Sequence, residues 1–286
     1  MKKGIDVAKW NPIKDYAAVA REVSFAILKI INISNNEDGL FATHLNGCRA
    51  NNIPVIGVYN YSYATSVAKA QTDANAVISV LRKYGLNATV WLDIEEQSIA
   101  KQLGAGLVDV VLAYGNTIKA AGYSFGVYTG LSFYKTYLKK YEGRLAGVPM
   151  WIARYPSTAK MTIDKNPAAD KKPDVSNLYA WQYSSKGVVS GIAGVVDLDI
   201  LYADEGIVAP TPATSTPAAS SAYYPRYNGV TNTSIVSGLA GVGEKDTSFA
   251  HRAKIAAANG ISGYRGTAAQ NLKMLSLLKQ GKLKKG

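Results

Sequence analysis

The sequence predicts an α/β protein, an irregular TIM-like barrel of five β/α units followed by three strands, with a small all-α C-terminal module. Three observations lead to this fold class. Eight short segments rich in β-branched and aromatic residues lie between residues 4 and 202, bounded by Gly, Pro or Asn. Helix-like spacing separates the first five segments, whereas polar connections separate the last three. Helical patterns return in residues 230–286.

The alternation of strands and helices implies a parallel sheet, and eight strands match the number in a TIM barrel. The helical patterns at residues 65–85 and 104–122 each end at glycine, the usual helix stop. The connection 156–177 is polar, where a regular barrel would carry a helix. The predicted strands are residues 4–10, 24–30, 54–61, 88–95, 123–130, 149–155, 178–184 and 194–202.

A Pro/Thr/Ser/Ala-rich segment, residues 207–229, has the composition of a linker. It divides the chain into a barrel domain, residues 1–206, and a helical module, residues 230–286. The module has helical patterns at residues 233–243, 246–260 and 266–281. The second starts at an N-cap candidate, Asp246 or Thr247, and the third opens with the capping-box pattern Thr267-x-x-Gln270. We expect a small core formed by Ile255, Leu272, Leu275 and Leu278.

The chain is basic, with a net charge of +12 over 286 residues. Residues 228–286 hold nine Lys and Arg against Glu244 and Asp246, a net charge of +7. Such a charge favours polyanionic partners, which include nucleic acid, anionic membranes and anionic cell walls. We find no nucleic-acid recognition motif in the module, so we expect no nucleic-acid partner.

Several classes of protein are excluded by simple counts. The start, MKKGIDV, lacks the apolar stretch of a secretory signal peptide, so none is expected. No segment approaches the roughly 20 apolar residues of a spanning helix, and we expect no membrane insertion. A single Cys48 excludes an internal disulfide framework. With only two histidines, the chain is not expected to hold a His-rich metal site or to need a cofactor.

Three carboxylates crowd the end of the fourth predicted strand, in WLDIEE, residues 91–96. Residues two apart in a strand point to the same face, roughly 6.6–6.8 Å apart. Asp93 and Glu95 therefore share a face, whereas Glu96 points the other way. In a barrel, active sites assemble at the C-terminal strand ends. The pair is therefore predicted to lie at the barrel mouth.

Further acids have similar positions on other strands. Asp6 lies on the first strand, and Asp197 and Asp199 lie on the eighth, which neighbours the first in a closed barrel. Crowded carboxylates serve either a divalent metal or glycosidic hydrolysis by one acid and one anion. Aromatic residues near the strand ends favour the sugar chemistry, because flat rings with polar groups suit sugar faces. We predict that Tyr59, Tyr61, Tyr128, Trp151, Tyr155 and Trp181 bind substrate.

Motifs around these residues resemble the lysozymes of glycoside hydrolase family 25, also called Chalaropsis-type muramidases. The similarity covers about residues 3–203 and keeps the family's order. The family's fold resembles the irregular barrel described above. The matching pieces are GIDVAKWNP, IPVIGVYNYSYA, WLDIEE, FGVYTG, WIARYP, WQYSS and VVDLDILY.

The resemblance implies cleavage of the β-1,4 bond between N-acetylmuramic acid and N-acetylglucosamine in peptidoglycan. Asp93 and Glu95 match the family's Asp-x-Glu motif, with Glu95 as general acid. Asp6 and Asp197 match its two supporting acids, and Asp199 is the weaker match of its pair. Burial and the Asp93 charge are expected to raise the pKa of Glu95. Asp93 acts either as nucleophile or by orienting the sugar's acetamido group, and the sequence leaves both open.

The chain departs from the family at two places. Lys29 is followed by Ile-Ile-Asn-Ile, where members often have Ala-Thr-Glu-Gly, and Tyr59-Asn60-Tyr61 stands where members have Tyr-His-Phe. The module resembles short helical modules of wall hydrolases, and its charge suits teichoic acids or other anionic wall polymers. The organisation resembles a bacteriophage endolysin, which accumulates in the host bacterial cytoplasm before it reaches the wall.

Two other functions compete with this hypothesis. One is a non-catalytic wall glycan-binding protein with a degenerate barrel, against which the intact set of four acids argues. The other is a metal-dependent barrel hydrolase, since several carboxylates suit Mg²⁺ or Ca²⁺.

Overall fold

The computed structural model describes residues 2–202, 222–227, 234–244 and 246–286. The chain forms two compact units, Met1–Ser215 and Thr216–Gly286. Most of the predicted linker, residues 207–229, lies outside the described residues.

The first unit is a closed barrel of eight strands with an additional short strand, β7, beside it. The sheet order is β6-β5-β4-β3-β2-β1-β9-β8-β7, and pairing of β6 with β8 closes the barrel. The prediction of an irregular barrel is therefore confirmed, with β7 as a strand that the sequence pattern did not indicate. The strands are β1 Lys2–Val7, β2 Phe25–Lys29, β3 Val55–Tyr61, β4 Thr89–Asp93, β5 Phe125–Gly130, β6 Met150–Ala153, β7 Met161–Thr162, β8 Leu178–Val188 and β9 Val196–Leu201.

Helices cross between the first six strands, and polar caps define where two of them begin. Asp15 accepts a hydrogen bond from the Ala18 amide before α1, and Ser66 accepts one from the Lys69 amide before α3. A π-helix and a 3₁₀ turn extend α6, whereas β6 and β8 are joined by β7 and a 3₁₀ turn only. The helices are α1 Tyr16–Ala20, α2 Phe41–Ala50, α3 Val67–Lys83, α4 Gln97–Leu103, α5 Gly106–Ala120 and α6 Leu131–Phe133.

One strand runs against the predicted parallel sheet. Strand β9 pairs antiparallel with both β1 and β8, whereas β1 to β6 pair in parallel. The parallel pairing implied by the strand–helix alternation therefore does not extend to this strand. The cause is the absence of a crossover helix between β8 and β9, because a parallel connection needs a long crossover. As a result, the amino end of β9 lies beside the carboxyl ends of the parallel strands.

The interior of the barrel is filled by aromatic rings. Trp91 and Trp151 lie 5.8 Å apart between ring centroids, and Tyr128 lies 4.3 Å from Trp151. Gly126 on β5 leaves room for Trp91, since a Cβ there would come within 2.3 Å of the indole. The outer face of the barrel packs against the helices through aliphatic residues such as Val90. This aromatic filling forms the floor beneath the mouth.

The described residues of the second unit form three helices, α7 Ile235–Gly241, α8 Phe249–Ala258 and α9 Ala268–Lys279. Thr267 and Gln270 form the predicted capping box at α9. The cap of α8 is Ser248, not Asp246 or Thr247 as predicted.

The core of this unit differs from the prediction at one residue. Ile255, Leu275 and Leu278 are buried as expected, but Leu272 is 63 % exposed. Leu272 precedes buried Met274 by two residues, which places it on the far side of the helix. Tyr224 is also buried in this core, so residues 222–227 belong to the second unit despite their linker-like composition. Among the described residues, no helix is long and apolar enough to cross a membrane.

Candidate active site

The predicted acids meet at one end of the barrel, where parallel strands end and β9 begins. Asp6 and Asp197 are paired residues of β1 and β9. Asp93 is the last residue of β4, and β4 lies opposite β9, because four steps around the barrel separate them in either direction. The site therefore has a β4 side and a β1/β9 side.

The β4 side carries Asp93 and Glu95. Asp93 is 5 % exposed, and its Oδ1 has no hydrogen-bond partner among the described residues. Glu95 is partly exposed and accepts a hydrogen bond from the Gly130 amide at the end of β5. Glu96 occupies the N-cap position of α4, and its Oε1 accepts a hydrogen bond from the Ser98 hydroxyl at 2.7 Å. Asp93 and Glu95 thus face the mouth, whereas Glu96 is the N-cap residue of α4.

Burial is the main influence on the protonation of this pair. It raises the pKa of Glu95, and the Gly130 amide opposes that rise. Burial and then the Glu95 charge raise the pKa of Asp93 well above its ordinary value, whereas the Lys29 ammonium lowers it. The expected direction for Glu95 agrees with this structure, but the cause is burial and not the Asp93 charge. Lys29 is the cation that favours the ionised form of Asp93.

The β1/β9 side holds two acids that are almost closed to solvent. Asp6 is 4 % exposed and Asp199 is fully buried. Asp199 Oδ1 accepts a hydrogen bond from Trp151 Nε1 at 2.8 Å, and its Oδ2 has no partner among the described residues. Burial and the charges of Asp197 and Asp199 raise the pKa of Asp6 well above its ordinary value. Hydrogen bonding between the Asp6 and Asp199 carboxyls adds to the rise in the pKa of Asp6 and opposes the rise in the pKa of Asp199.

Gln182 on β8 connects Asp6 to two tyrosines. Its Nε2 donates to Asp6 Oδ2 at 2.7 Å. Its Oε1 accepts from the hydroxyls of Tyr128 and Tyr155, at 2.8 and 2.6 Å. The two hydroxyl donors require the amide oxygen on their side, so the amide NH₂ must face Asp6. Gln182 thereby fixes the orientation of the Asp6 carboxyl.

Asp197 differs from its buried neighbours because it is partly exposed. Burial, and next the negative charge of Glu95, raise its pKa from 3.8 to about 6. The Glu95 charge acts on Asp197 across the mouth, which brings the two sides of the site into electrostatic contact. Since β9 is antiparallel, its second residue Asp197 lies at the mouth and Asp199 lies deeper.

The structure corrects two of the predicted substrate-binding residues. Trp151 and Trp181 are each 1 % exposed, so neither ring is available to a substrate. Trp181 Nε1 donates to the Arg154 carbonyl at 2.7 Å, and Trp151 belongs to the barrel filling. Tyr128 is 7 % exposed, and its hydroxyl already donates a hydrogen bond to Gln182. Among the predicted rings, the open one is Tyr155, at 45 % exposure.

Tyr59 and Tyr61 remain partly accessible beside the acids. The charges of Asp6 and Asp93 contribute, after burial, to a raised pKa of Tyr59. Tyr61 pairs with Asp93 in the sheet, and the charges of Asp93, Glu96 and Glu95 contribute after burial to its raised pKa. Both hydroxyls therefore stay protonated and can donate hydrogen bonds at the mouth.

Sequence reasoning missed Gln182. A polar residue inside the apolar strand segment LYAWQY is the signal that could have identified Gln182, because buried amides are retained where they are hydrogen bonded. Among the described residues, no group of three or more His, Cys, Asp and Glu has an arrangement that could hold a metal ion.

Comparison with known families finds one match that covers most of the barrel. Residues 5–192 match the sequence model of the glycosyl hydrolases family 25. A lysozyme of Lactococcus phage mv1 is 27 % identical over 167 residues, which are 56 % of this chain and 81 % of that protein. An autolytic lysozyme of Clostridium acetobutylicum is 25 % identical over 201 residues, which are 69 % of this chain and 55 % of that protein.

Solved structures show the same barrel. The modular autolysin LytC of Streptococcus pneumoniae is 27 % identical with a TM-score of 0.58, over 70 % of this chain and 46 % of LytC. This chain therefore spans less than half of LytC, which has also been solved with a synthetic peptidoglycan ligand. The catalytic domain of endolysin ply40, from bacteriophage P40 of Listeria monocytogenes, is 26 % identical with a TM-score of 0.55, over 71 % of this chain and 94 % of that domain.

Proposed function

This chain belongs to glycosyl hydrolase family 25 and is a glycoside hydrolase, and from that premise we propose that it cleaves the β-1,4 bond after N-acetylmuramic acid in peptidoglycan. The observation that carries the proposal is the pair Asp93 and Glu95, one buried and one accessible, at the mouth of the barrel. The lysozymes and autolysins among its relatives support peptidoglycan as the substrate.

Glu95 acts as the general acid in this proposal. Its carboxyl is partly exposed, so it can reach the glycosidic oxygen, and burial raises its pKa so that it holds a proton at higher pH. Protonation of the leaving oxygen lets the glycosidic bond break as positive charge develops on the sugar ring.

Asp93 acts as the anion opposite that charge. Burial and the Glu95 charge raise the pKa of Asp93 and Lys29 opposes that rise, so the proposal requires Lys29 and the positive charge that develops on the sugar to hold Asp93 ionised. Among the described residues its Oδ1 has no hydrogen-bond partner, which leaves that oxygen free to face the sugar. Two roles fit this position, attack on the anomeric carbon or orientation of the substrate's acetamido group for internal attack. Asp6 and Asp197 support the pair through the electrostatic field of the mouth.

Chemical analysis of digested peptidoglycan tests the proposed bond. New reducing ends on N-acetylmuramic acid are the expected product. New reducing ends on N-acetylglucosamine would assign the other glycosidic bond, and new amino termini alone would assign an amidase or peptidase. Activity that persists in EDTA would argue against a metal-dependent hydrolase.

The second unit is proposed to bind anionic wall polymers. Lys273, Lys282 and Lys284 are exposed, and the unit's composition is strongly basic. We expect the intact protein to sediment with walls at low salt and to be released as salt screens the charges. Replacing these three lysines with glutamine should weaken sedimentation, as should removal of teichoic acid from the walls. Sedimentation that is unchanged in both experiments would contradict the charge-based interaction.

A further inference from the structure

Three tyrosines, on β3 and in the segment that follows it, form a line from the carboxylates to the rim of the barrel. Tyr59, Tyr61 and Tyr63 alternate with residues that are buried against the barrel wall, Asn60 at 2 % and Ser62 at 6 % exposure. Strand periodicity turns the Tyr59 and Tyr61 rings to the mouth side, and the Tyr63 ring lies against that of Tyr61. We call Tyr59, Tyr61 and Tyr63 the tyrosine line.

The tyrosine line begins with Tyr59 beside the acids and ends with Tyr63 at the rim of the barrel. Tyr59 and Tyr61 are partly buried among the charges of the mouth, whereas Tyr63 is 41 % exposed. The rings of Tyr61 and Tyr63 pack against each other, with centroids 4.8 Å apart and planes tilted by 35°. The Ser62 amide donates to the Asp93 carbonyl at 2.8 Å, which fixes this segment beside β4 beyond the end of β3 itself.

An exposed aromatic ring at this place needs a partner of suitable shape. A tyrosine ring offers a flat apolar face together with a hydroxyl, and that combination suits a sugar ring, which has an apolar face and a polar edge. The surroundings are acidic, with Asp93, Glu95 and Glu96 as the nearest charges on the adjoining segment. An uncharged or weakly charged glycan fits such surroundings better than an acidic peptide does.

We propose that Tyr63, stacked on Tyr61, binds a sugar of the glycan strand beyond the two that flank the cleaved bond. This inference rests on the proposed glycan hydrolase function and adds to it a binding position for a longer chain. Since Tyr63 lies outside the reacting group, its contact stabilises the bound substrate and the transition state equally. The position thus favours long glycan strands over short ones.

The test is a comparison of Tyr63→Ala and Tyr63→Phe on purified glycan strands from which the stem peptides have been removed. For Tyr63→Ala we expect KM to rise about fivefold with kcat changed less than twofold, because a ring contact of this kind contributes roughly that factor. Tyr63→Phe keeps the ring and should stay within about twofold of the parent protein. On the shortest oligosaccharide that is cleaved, all three proteins should be equal.

Val188→Ala, an exposed apolar residue on β8 away from the tyrosine line, is the matched surface control. Equal melting temperatures would show that a change in KM is not a folding defect. An unchanged KM for Tyr63→Ala on long strands overturns the inference. So does an effect that appears only when stem peptides are present, since the ring would then bind peptide. If the parent protein releases no reducing ends, the proposed function itself fails, which separates the two hypotheses.

Discussion

The β4 side and the β1/β9 side of the mouth carry the same functional group in opposite surroundings. On the β4 side, Asp93 Oδ1 has no partner among the described residues, and Glu95 is partly exposed and accepts a hydrogen bond from the Gly130 amide. On the β1/β9 side, Gln182 holds Asp6, and Trp151 holds Asp199 through Oδ1, whereas Asp199 Oδ2 has no partner in the part of the chain that the structure describes.

The difference separates groups that can react from groups that are fixed. A carboxyl that is already satisfied by buried donors loses those hydrogen bonds if it moves, whereas an unpartnered one can meet a substrate without such a loss. We therefore expect changes on the β4 side to affect turnover more than stability. Changes on the β1/β9 side should affect stability at least as strongly as turnover.

The largest effect is expected from Glu95→Gln. Glutamine keeps the shape but cannot supply a proton, so kcat should fall by about 10³-fold, within the usual range for a general acid. The melting temperature should stay within about 2 °C, because Glu95 is partly exposed. Release of reducing ends and thermal unfolding are the two measurements. A variant with full activity would remove Glu95 from the proposed role.

Asp93→Asn comes next and gives a sharper contrast between activity and stability. Loss of the anion should lower kcat by about 10²-fold. Burial of an ionised carboxyl is unfavourable, so the neutral amide should unfold at the same or a higher temperature. The pH dependence of kcat provides a second measurement, since its lower limb should change when Asp93 no longer ionises. A large loss of stability would show that Asp93 resembles the fixed acids and would break the comparison.

The architecture could be predicted because strand and helix periodicities differ along the chain. The segment around Asp93 is predicted as an apolar strand that ends in acids, and Asp6 lies on the first predicted strand, which placed the β4 pair and Asp6 at one mouth. The direction of β9 could not be read in this way, because a period of two is the same for a strand that runs up or down. That direction decides why Asp197, and not Asp199, lies at the mouth.

The depth at which each side chain lies in the barrel could not be predicted from the sequence either. Trp151 and Tyr155 both lie near the end of the sixth predicted strand, yet one is 1 % and the other 45 % exposed. Strand register and tilt set that depth, and neither follows from the order of residues in one strand. Gln182 was missed for a related reason, since its partners come from β1, β5 and the segment after β6.

The substitution Gln182→Leu tests whether hydrogen bonds of Gln182 stabilise the β1/β9 side of the mouth. The change leaves two tyrosine hydroxyls and the Asp6 carboxyl without their partner, which costs about 1–3 kcal/mol of unfolding free energy. We expect the melting temperature to fall by roughly 5 °C and kcat to fall about tenfold. Gln182→Glu is the matched control, because it keeps an acceptor for both tyrosines but loses the donor to Asp6. Equal stability of Gln182→Leu and the parent protein would refute the proposed fixation of Asp6.

The smallest expected effect concerns Asp197, which links the two sides. Its pKa is about 6 in the folded protein and 3.8 in its ordinary state, so between these values the folded chain binds the additional proton. The stability that this proton contributes is therefore complete below about pH 4 and is lost as pH rises through about 6. Asp197→Asn removes this contribution, and its melting temperature relative to the parent protein should rise by a few degrees between pH 4 and pH 7. The difference between the two curves also includes the response of Asp6 and Asp199, because the Asp197 charge raises the pKa of both. If that difference stays constant with pH, the pKa of Asp197 is not raised in the folded protein, and neither burial nor the Glu95 charge acts on this carboxyl as described.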